Sequence, residues 1–274
     1  MTGVLKKVMA PLLNRLGLDL VRYRSPSDAN LGMHEHLGFE LEDEAMAAIR
    51  VVRDHTMLSK RRLVTLYQQV AYCERNGIPG ALVECGVWKG GAMGLMALAN
   101  LKLATARRHL HLFDAFQEIC EPDAAVDGEQ ALREARPFTE GGADGRGVLR
   151  PLVGIYDSVG GPGTLAENRQ LLEGTIGYPA EMVHYHAGWF QETLPAVHET
   201  IGPIAILRLD GDWYASTKVC LEYLFDKVVP GGIVIIDDYG AYEGCRRAVD
   251  EFLASRDMRV YLHNIDHTGR YLVI

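Results

Sequence analysis

Short apolar runs alternate along this chain with glycine-rich turns and with stretches of helical spacing. Residues 81–84, 109–113, 182–186, Ile204–Leu209 and 233–236 are four to six residues long and almost continuously apolar or β-favouring. Runs of that length, bounded by turns, read as buried strands of a parallel sheet. Between them the period changes from two to 3.6. Residues 43–76 carry two helical patterns, with Leu63, Leu66, Tyr67 and Val70 on one face, closed by Gly77 and a turn at 78–80. Further helices are expected over 93–103, 165–172 and 244–256. Strand, glycine turn, helix and strand in that order begin a doubly wound α/β fold. The last two runs, 260–265 and 271–274, flank a turn at 266–269 and predict an antiparallel hairpin on one side of the sheet.

Two segments break the rhythm. Residues 1–45 form a leader in which 4–18 has the spacing of a short basic amphipathic helix, suited to docking on the body or on a partner subunit. Residues 46–274 then make the main domain. Within it, 118–163 is rich in Gly, Asp, Glu and Ala and carries Pro122, Pro137 and Pro151. An irregular stretch that long is either a lid over a ligand or a loose surface excursion.

The carboxyl ends of the predicted strands carry the chemistry. Leu209-Asp210-Gly211-Asp212 and Ile235-Ile236-Asp237-Asp238 each close an apolar run with acids, where α/β sheets bind their ligands. Carboxylates brought that close repel unless a cation lies between them, and an all-oxygen set favours Mg²⁺. Consecutive Asp237 and Asp238 reach one ion only if the chain has already left the strand; otherwise one of them caps a helix. After the first strand comes Glu84-Cys85-Gly86-Val87-Trp88-Lys89-Gly90-Gly91. Its spacing is not that of a dinucleotide fingerprint. The acid before Gly86 suits the ammonium of a methionine-type cofactor better than a pyrophosphate, which favours S-adenosylmethionine over NAD. Asp114 ends the second strand, where an acid either accepts from ribose hydroxyls or caps a turn. Gly188-Trp189-Phe190 follows the third and is either an adenine wall or core.

The chain has 274 residues, of which 48% are hydrophobic, and a net charge of -8. That balance, with pI near 5.7, disfavours nucleic acid and anionic membranes as partners. Lys60-Arg61-Arg62, the densest basic run, is expected on a solvated helix face. Five widely spaced cysteines form no C-x-x-C pair, and no apolar stretch is long enough to span a bilayer. A cytoplasmic protein is the default expectation.

The motifs together resemble the macrocin O-methyltransferase (TylF-like) family of class I S-adenosylmethionine-dependent enzymes. Matching segments are Thr56-Met57-Leu58-Ser59, the run from Leu82 to Gly91, Leu112-Phe113-Asp114-Ala115-Phe116, the run from Gly188 to Pro195, the run from Leu207 to Thr217, and Asp237-Asp238-Tyr239. The resemblance covers about residues 50–252. It implies a Rossmann-like, seven-stranded, mostly parallel sheet, dependence on Mg²⁺, and methylation of a hydroxyl on a sugar-containing substrate by a homo-oligomer. It also assigns Thr56, Met57, Glu84, Gly86, Trp88, Gly90, Asp114, Gly188, Trp189 and Phe190 to the cofactor, and Asp210, Asp237 and Asp238 to the metal. Where relatives carry a Gly-Leu-Pro-type loop after Phe116, this chain reads Gln117 to Pro122 instead, so the acceptor stays open.

A sugar hydroxyl must lose its proton as it attacks a methyl group. Asp212 is the first candidate for the base, with His184 and His186 as rivals because imidazole titrates in the useful range. Two other readings stand beside the sugar enzyme: a catechol-type O-methyltransferase with Trp213, Tyr214 and Tyr239 around a planar diol, and a non-catalytic methyltransferase-like binding subunit.

Overall fold

A computed structural model describes residues 36–138 and 146–274. The predicted leader helix over 4–18 lies outside them. From Leu37 onward the chain forms one compact unit, whose first helix, α1, spans Glu42–Val52. Among the described residues no helix is long and apolar enough to cross a membrane.

Seven strands form one sheet in the order β3-β2-β1-β4-β5-β7-β6. These are β1 (Ala81–Cys85), β2 (Leu110–Asp114), β3 (Val183–Ala187), β4 (Ile204–Leu209), β5 (Val228–Ile236), β6 (His263–Asn264) and β7 (Arg270–Val273). The first five run parallel, while β7 pairs antiparallel with both β5 and β6. Strand order reverses between β1 and β4, the crevice position at which such sheets bind ligands. Both β1 and β4 are buried along their whole length, which explains why their sequences read as apolar runs broken only by Glu84 and Arg208 rather than as alternating ones.

Helices cover the sheet: α2 (Lys60–Arg75), α3 (Gly91–Leu103), α4 (Gly128–Ala135), α5 (Leu165–Arg169), α6 (Phe190–Val197), α7 (Tyr214–Leu224) and α8 (Glu243–Ser255). Ser59 caps α2 by accepting from the Arg62 N–H at 3.3 Å, and Thr164 with Glu167 forms a reciprocal capping box on α5. The start of α3 needs bare glycine: a Cβ on Gly91 would sit 2.5 Å from the His55 carbonyl oxygen.

Sequence reasoning placed five strands and the hairpin correctly but differs from the structure in three respects. It foresaw only the second half of β5, because Pro230-Gly231-Gly232 interrupts the apolar pattern of that nine-residue strand. It extended the first hairpin run over 260–265, of which only His263–Asn264 pairs. It also missed α4, α6 and α7. The stretch 118–163 is accordingly not featureless. It holds α4, and it closes on itself through the bridges Cys120↔Pro151 and Asp123↔Arg146.

One residue of that stretch sustains a helix elsewhere. Nothing in Trp213 caps α7; instead Asp127 Oδ1 accepts from the Tyr214 N–H at 2.6 Å, and its Oδ2 accepts from the Asp123 N–H at 2.6 Å. Asp127 is 2% exposed. Asp127→Ala leaves two donors unpartnered and is expected to cost about 1–3 kcal/mol, read as a lower midpoint in urea at unchanged slope.

Candidate functional site

The site grows from three adjacent strand ends. The Asp210 N–H donates to Cys85 O at 2.8 Å and the Asp237 N–H to Leu209 O at 2.9 Å, carrying the parallel ladder one step past β1, β4 and β5. There the chain turns. Asp237 and Asp238 stand beyond the end of β5, so their side chains are free of strand alternation. Donor oxygens of Asp210, Asp237 and Asp238 all come within 4.8 Å of one another. Gly86, at φ +87°, makes this packing feasible: a Cβ there would lie 1.7 Å from the Asp210 carbonyl oxygen.

Two arginines hold the carboxylates in place. Arg208, pointing out of the buried β4, donates from Nη1 to Glu84 Oε1 at 2.6 Å. Its Nη2 lies 2.9 Å from both Asp210 Oδ2 and Asp237 Oδ1. Arg62, on the first turn of α2, takes the other Asp237 oxygen, and its Nε donates to Asp266 Oδ2 at 2.8 Å. Thr268 Oγ1 is a further partner of Arg62. The expected solvated basic face is thereby corrected. Lys60 is 5% exposed and pairs with Glu42 at 2.6 Å, Arg62 faces the acid cluster, and only Arg61 is exposed. Charges that lose water are retained only when paired.

Electrostatics remain unbalanced even so. Glu84, Asp210, Asp212, Asp237 and Asp238 face two guanidinium groups. Burial lifts Glu84 to about 8 against the pull of Arg208. Burial, then the neighbouring Asp212 and Asp210, pushes Asp238 well above the usual carboxylate range. Asp212 is pushed up the same way, by burial and then by Asp210 and Asp237. Asp238 has no lysine or arginine partner among the described residues. An all-oxygen cluster with surplus negative charge fits a hard divalent cation; Asp210 and Asp238, with Asp237 beside them, would hold it.

Next to this cluster opens a cleft of about 370 Å³. Met57, Gly86, Trp88, Asp114, Gly188, Trp189 and Phe190 line it, as do Asp210 and Asp212. Thr56, Glu84 and Gly90 do not. Thr56 accepts from the Leu58 N–H at 3.1 Å and packs on Gly91. Glu84 is turned to Arg208 with its Oε2 buried and unpartnered. Gly90 starts α3 at φ +85° against Asn168. Asp114 accepts from the N–H groups of Val87, Trp88 and Phe116 at 2.6, 3.0 and 2.6 Å. It therefore fastens the glycine turn to β2, which leaves one of its about four lone-pair positions for a ligand.

The 118–163 stretch supplies the opposite wall, through Glu118, Ile119, Ile155, Tyr156 and Val159. Its two ends are tied together: the Gly154 N–H donates to Glu118 Oε1 at 3.0 Å. They are also tied to the glycine turn, since Trp88 Nε1 donates to Gly161 O at 3.1 Å. Charged residues lining the cleft are Asp114, Glu118, Glu134, Asp210 and Asp212, with no basic residue among the described ones. An apolar cleft with an acidic floor suits a cationic cofactor such as a sulfonium.

His186 requires a correction. It does not line this cleft but a separate cavity, where it stacks on Phe113 at 4.1 Å and its Nε2 is 3.1 Å from His111 Nδ1. Burial holds it down at about 4. His184 lines that cavity as well. Alternation along β3 sends these two rings to the sheet face rather than to the strand end. Asp212 stays at the cleft, at φ +57°. Sequence reasoning overlooked Arg208 and Arg62; the signal for the first was a lone charge in an otherwise apolar buried strand.

A model of the macrocin-O-methyltransferase (TylF) family matches residues 20–140 and 175–273. The demethyldecarbamoylnovobiocin O-methyltransferase of Streptomyces niveus is 36% identical over 219 residues, 79% of this chain and 74% of that protein. The 8-demethyl-8-(2,3-dimethoxy-alpha-L-rhamnosyl)-tetracenomycin-C 4'-O-methyltransferase of Streptomyces olivaceus is 33% identical over 78% of this chain and 74% of its own length. Among solved structures, the O-methyltransferase NovP superposes over 98% of both chains with a TM-score of 0.67 and 29% identity.

Two outcomes test the electrostatic description. Arg62→Met leaves an Asp237 oxygen buried without its partner and is expected to destabilise by about 3–5 kcal/mol, with Arg62→Lys recovering part of the loss in denaturant titration. His111, held down at about 3 by burial and then by neighbouring imidazoles, binds its proton more readily when unfolded. Stability should therefore be full above the ordinary histidine range and fall as pH drops from about 6.5 toward the depressed value. His111→Leu should flatten that slope in melts taken from pH 7 to 4.5; an unchanged slope would contradict the assignment.

Proposed function

The chain belongs to the macrocin O-methyltransferase family and is an O-methyltransferase, and from that premise we propose that it methylates a hydroxyl of a sugar on a glycosylated product, using S-adenosylmethionine and Mg²⁺. One observation carries this reading: donor oxygens of Asp210, Asp237 and Asp238 converge beside a cleft that Asp210 itself lines, together with Gly86 of the glycine turn and Asp114. The names of the relatives support the sugar acceptor, since two of them act on a rhamnosyl tetracenomycin and on mycinamicin III.

S-Adenosylmethionine supplies an already activated methyl group, and Mg²⁺ among the three aspartates supplies Lewis acidity that eases loss of a hydroxyl proton. The remaining work falls to this chain's own residues. Gly86 lets the β1 turn approach the ligand closely, and Asp114 holds that turn rigid. Trp88, Trp189 and Phe190 provide the apolar walls that exclude water. Asp212, at the edge of the acidic cluster and lining the cleft, takes the proton from the acceptor hydroxyl. Arg208 and Arg62 keep Asp237 fixed while this happens, and fixed geometry is where most of the rate advantage of an oriented transfer arises.

The test is transfer of labelled methyl from S-adenosylmethionine to a panel of glycosides and catechols, with and without chelator. Transfer to a glycoside that stops when divalent cations are removed is the expected result. Asp212→Asn should lower kcat by about 10²–10⁴-fold while cofactor binding, followed by calorimetry, stays unchanged. Transfer to catechols alone would overturn the sugar reading. Full activity in Asp212→Asn would move the base elsewhere.

A further inference from the structure

Four histidines form a ladder on one face of β2 and β3, away from the carboxylate cluster. His109 and His111 alternate along one chain segment, and His184 and His186 along the other, with His111 directly opposite His184 in the register. All four line a single open cavity of about 960 Å³. His186 stacks on His111 at 5.4 Å and His111 on His184 at 4.6 Å, while His109 meets His184 at 5.1 Å with the rings tilted by 31°. Across the strands, nitrogen faces nitrogen. His109 Nδ1 is 2.8 Å from His184 Nε2, and His111 Nδ1 is 3.1 Å from His186 Nε2.

We propose that this ladder is a binding site for a borderline transition-metal ion of the Cu²⁺ or Ni²⁺ class, distinct from the Mg²⁺-type carboxylate cluster. Spacing is the first argument. Two nitrogens bound at about 2.0–2.1 Å and at a right angle to one another sit about 2.9 Å apart, whereas a tetrahedral pair sits about 3.4 Å apart. The distances of 2.8 and 3.1 Å bracket the right-angled value. Among the described residues only the three aspartates bring three donors within 4.8 Å, so the ladder offers its ligands two at a time and solvent completes the coordination. The outer pair, His109 with His184, is the entrance, because His109 is exposed while His111 is 7% exposed.

Donor chemistry is the second argument. Burial holds His111 and His186 down at about 3 and about 4, so this inner pair presents neutral imidazole, the form that binds a metal. In each facing pair one ring donates its N–H to the other. Coordination by both facing nitrogens requires that the donor ring carry its proton on its other nitrogen, with no net change in protons, and that the two rings tilt so that their lone pairs converge on the ion. The surrounding charge is spent elsewhere. Arg108 donates to Glu74 at 2.6 Å and to the carbonyls of Gly80 and Ile78, and Arg107 to the carbonyls of Asn100 and Ala104.

The test is titration of the full chain with Cu²⁺, Ni²⁺ and Mg²⁺, by calorimetry and, for Cu²⁺, by electron paramagnetic resonance. Expected are one Cu²⁺ per chain with a nitrogen-coordinated tetragonal spectrum, retention of that binding in Asp210→Asn, and weakening by about 10–100-fold in a His109→Ala, His184→Ala double variant. The spectrum of the wild-type chain separates nitrogen from oxygen ligands, and the single variant His109→Gln, at an exposed position, tests the ladder if the double variant fails to fold. An oxygen-only spectrum, affinity unaltered by the two histidine substitutions, or binding lost in Asp210→Asn would each overturn the proposal.

Discussion

A guanidinium that is 3% exposed must find its counter-charges inside the protein, and Arg208 finds them on three neighbouring strands. Glu84 from β1, Asp210 from the end of β4 and Asp237 from the end of β5 all meet it within 2.9 Å. Removing any one of these partners leaves a buried charge, which costs far more than the pair contributes when intact. The arginine therefore fixes where the carboxylates point and keeps three strand ends in register. The same residue explains why so acidic a cluster exists at all: positive charge below makes room for negative charge above.

A second cation extends that arrangement to the periphery. Arg62 links Asp237 to Asp266 and Thr268 in the turn between β6 and β7. Thus α2, near the start of the described chain, and the hairpin at its end both report to the same carboxylate. The stretch 118–163 does comparable work on the other side, capping α7 through Asp127 and walling the cleft through Glu118 and Tyr156. A site built at the switch point of the sheet is in this way fastened by a helix, by the turn of the edge hairpin and by the 118–163 stretch.

Much of this was legible in the sequence, because buried parallel strands leave continuous apolar runs and because acids at their ends have few structural uses. The convergence of Asp237 with Asp238 could be posed as a condition, that the chain leave the strand first, and the geometry meets it. What stayed hidden was long-range. Helix α4 lies in a stretch whose glycines and prolines mask the short pattern Glu129 to Ala135, α6 contains Pro195, and α7 is started by a cap 87 residues away. Nothing local in Lys60-Arg61-Arg62 distinguishes a buried arginine from a solvated one. His186 failed as a base for a related reason: alternation along β3 was visible, but not which cavity its face would meet.

The proposed cation site rests on Asp210 and Asp237, braced by Arg208 and Arg62, and on Asp238, all three beside the proposed methyl-transfer cleft. The most direct measurement is a crystal structure with Mn²⁺ and S-adenosylhomocysteine, with the ion located by its anomalous scattering. A single strong peak between Asp210, Asp237 and Asp238, with the cofactor against Gly86 and Asp114, is the expected result. A peak elsewhere, or none at saturating Mn²⁺ with the cofactor bound, would contradict it.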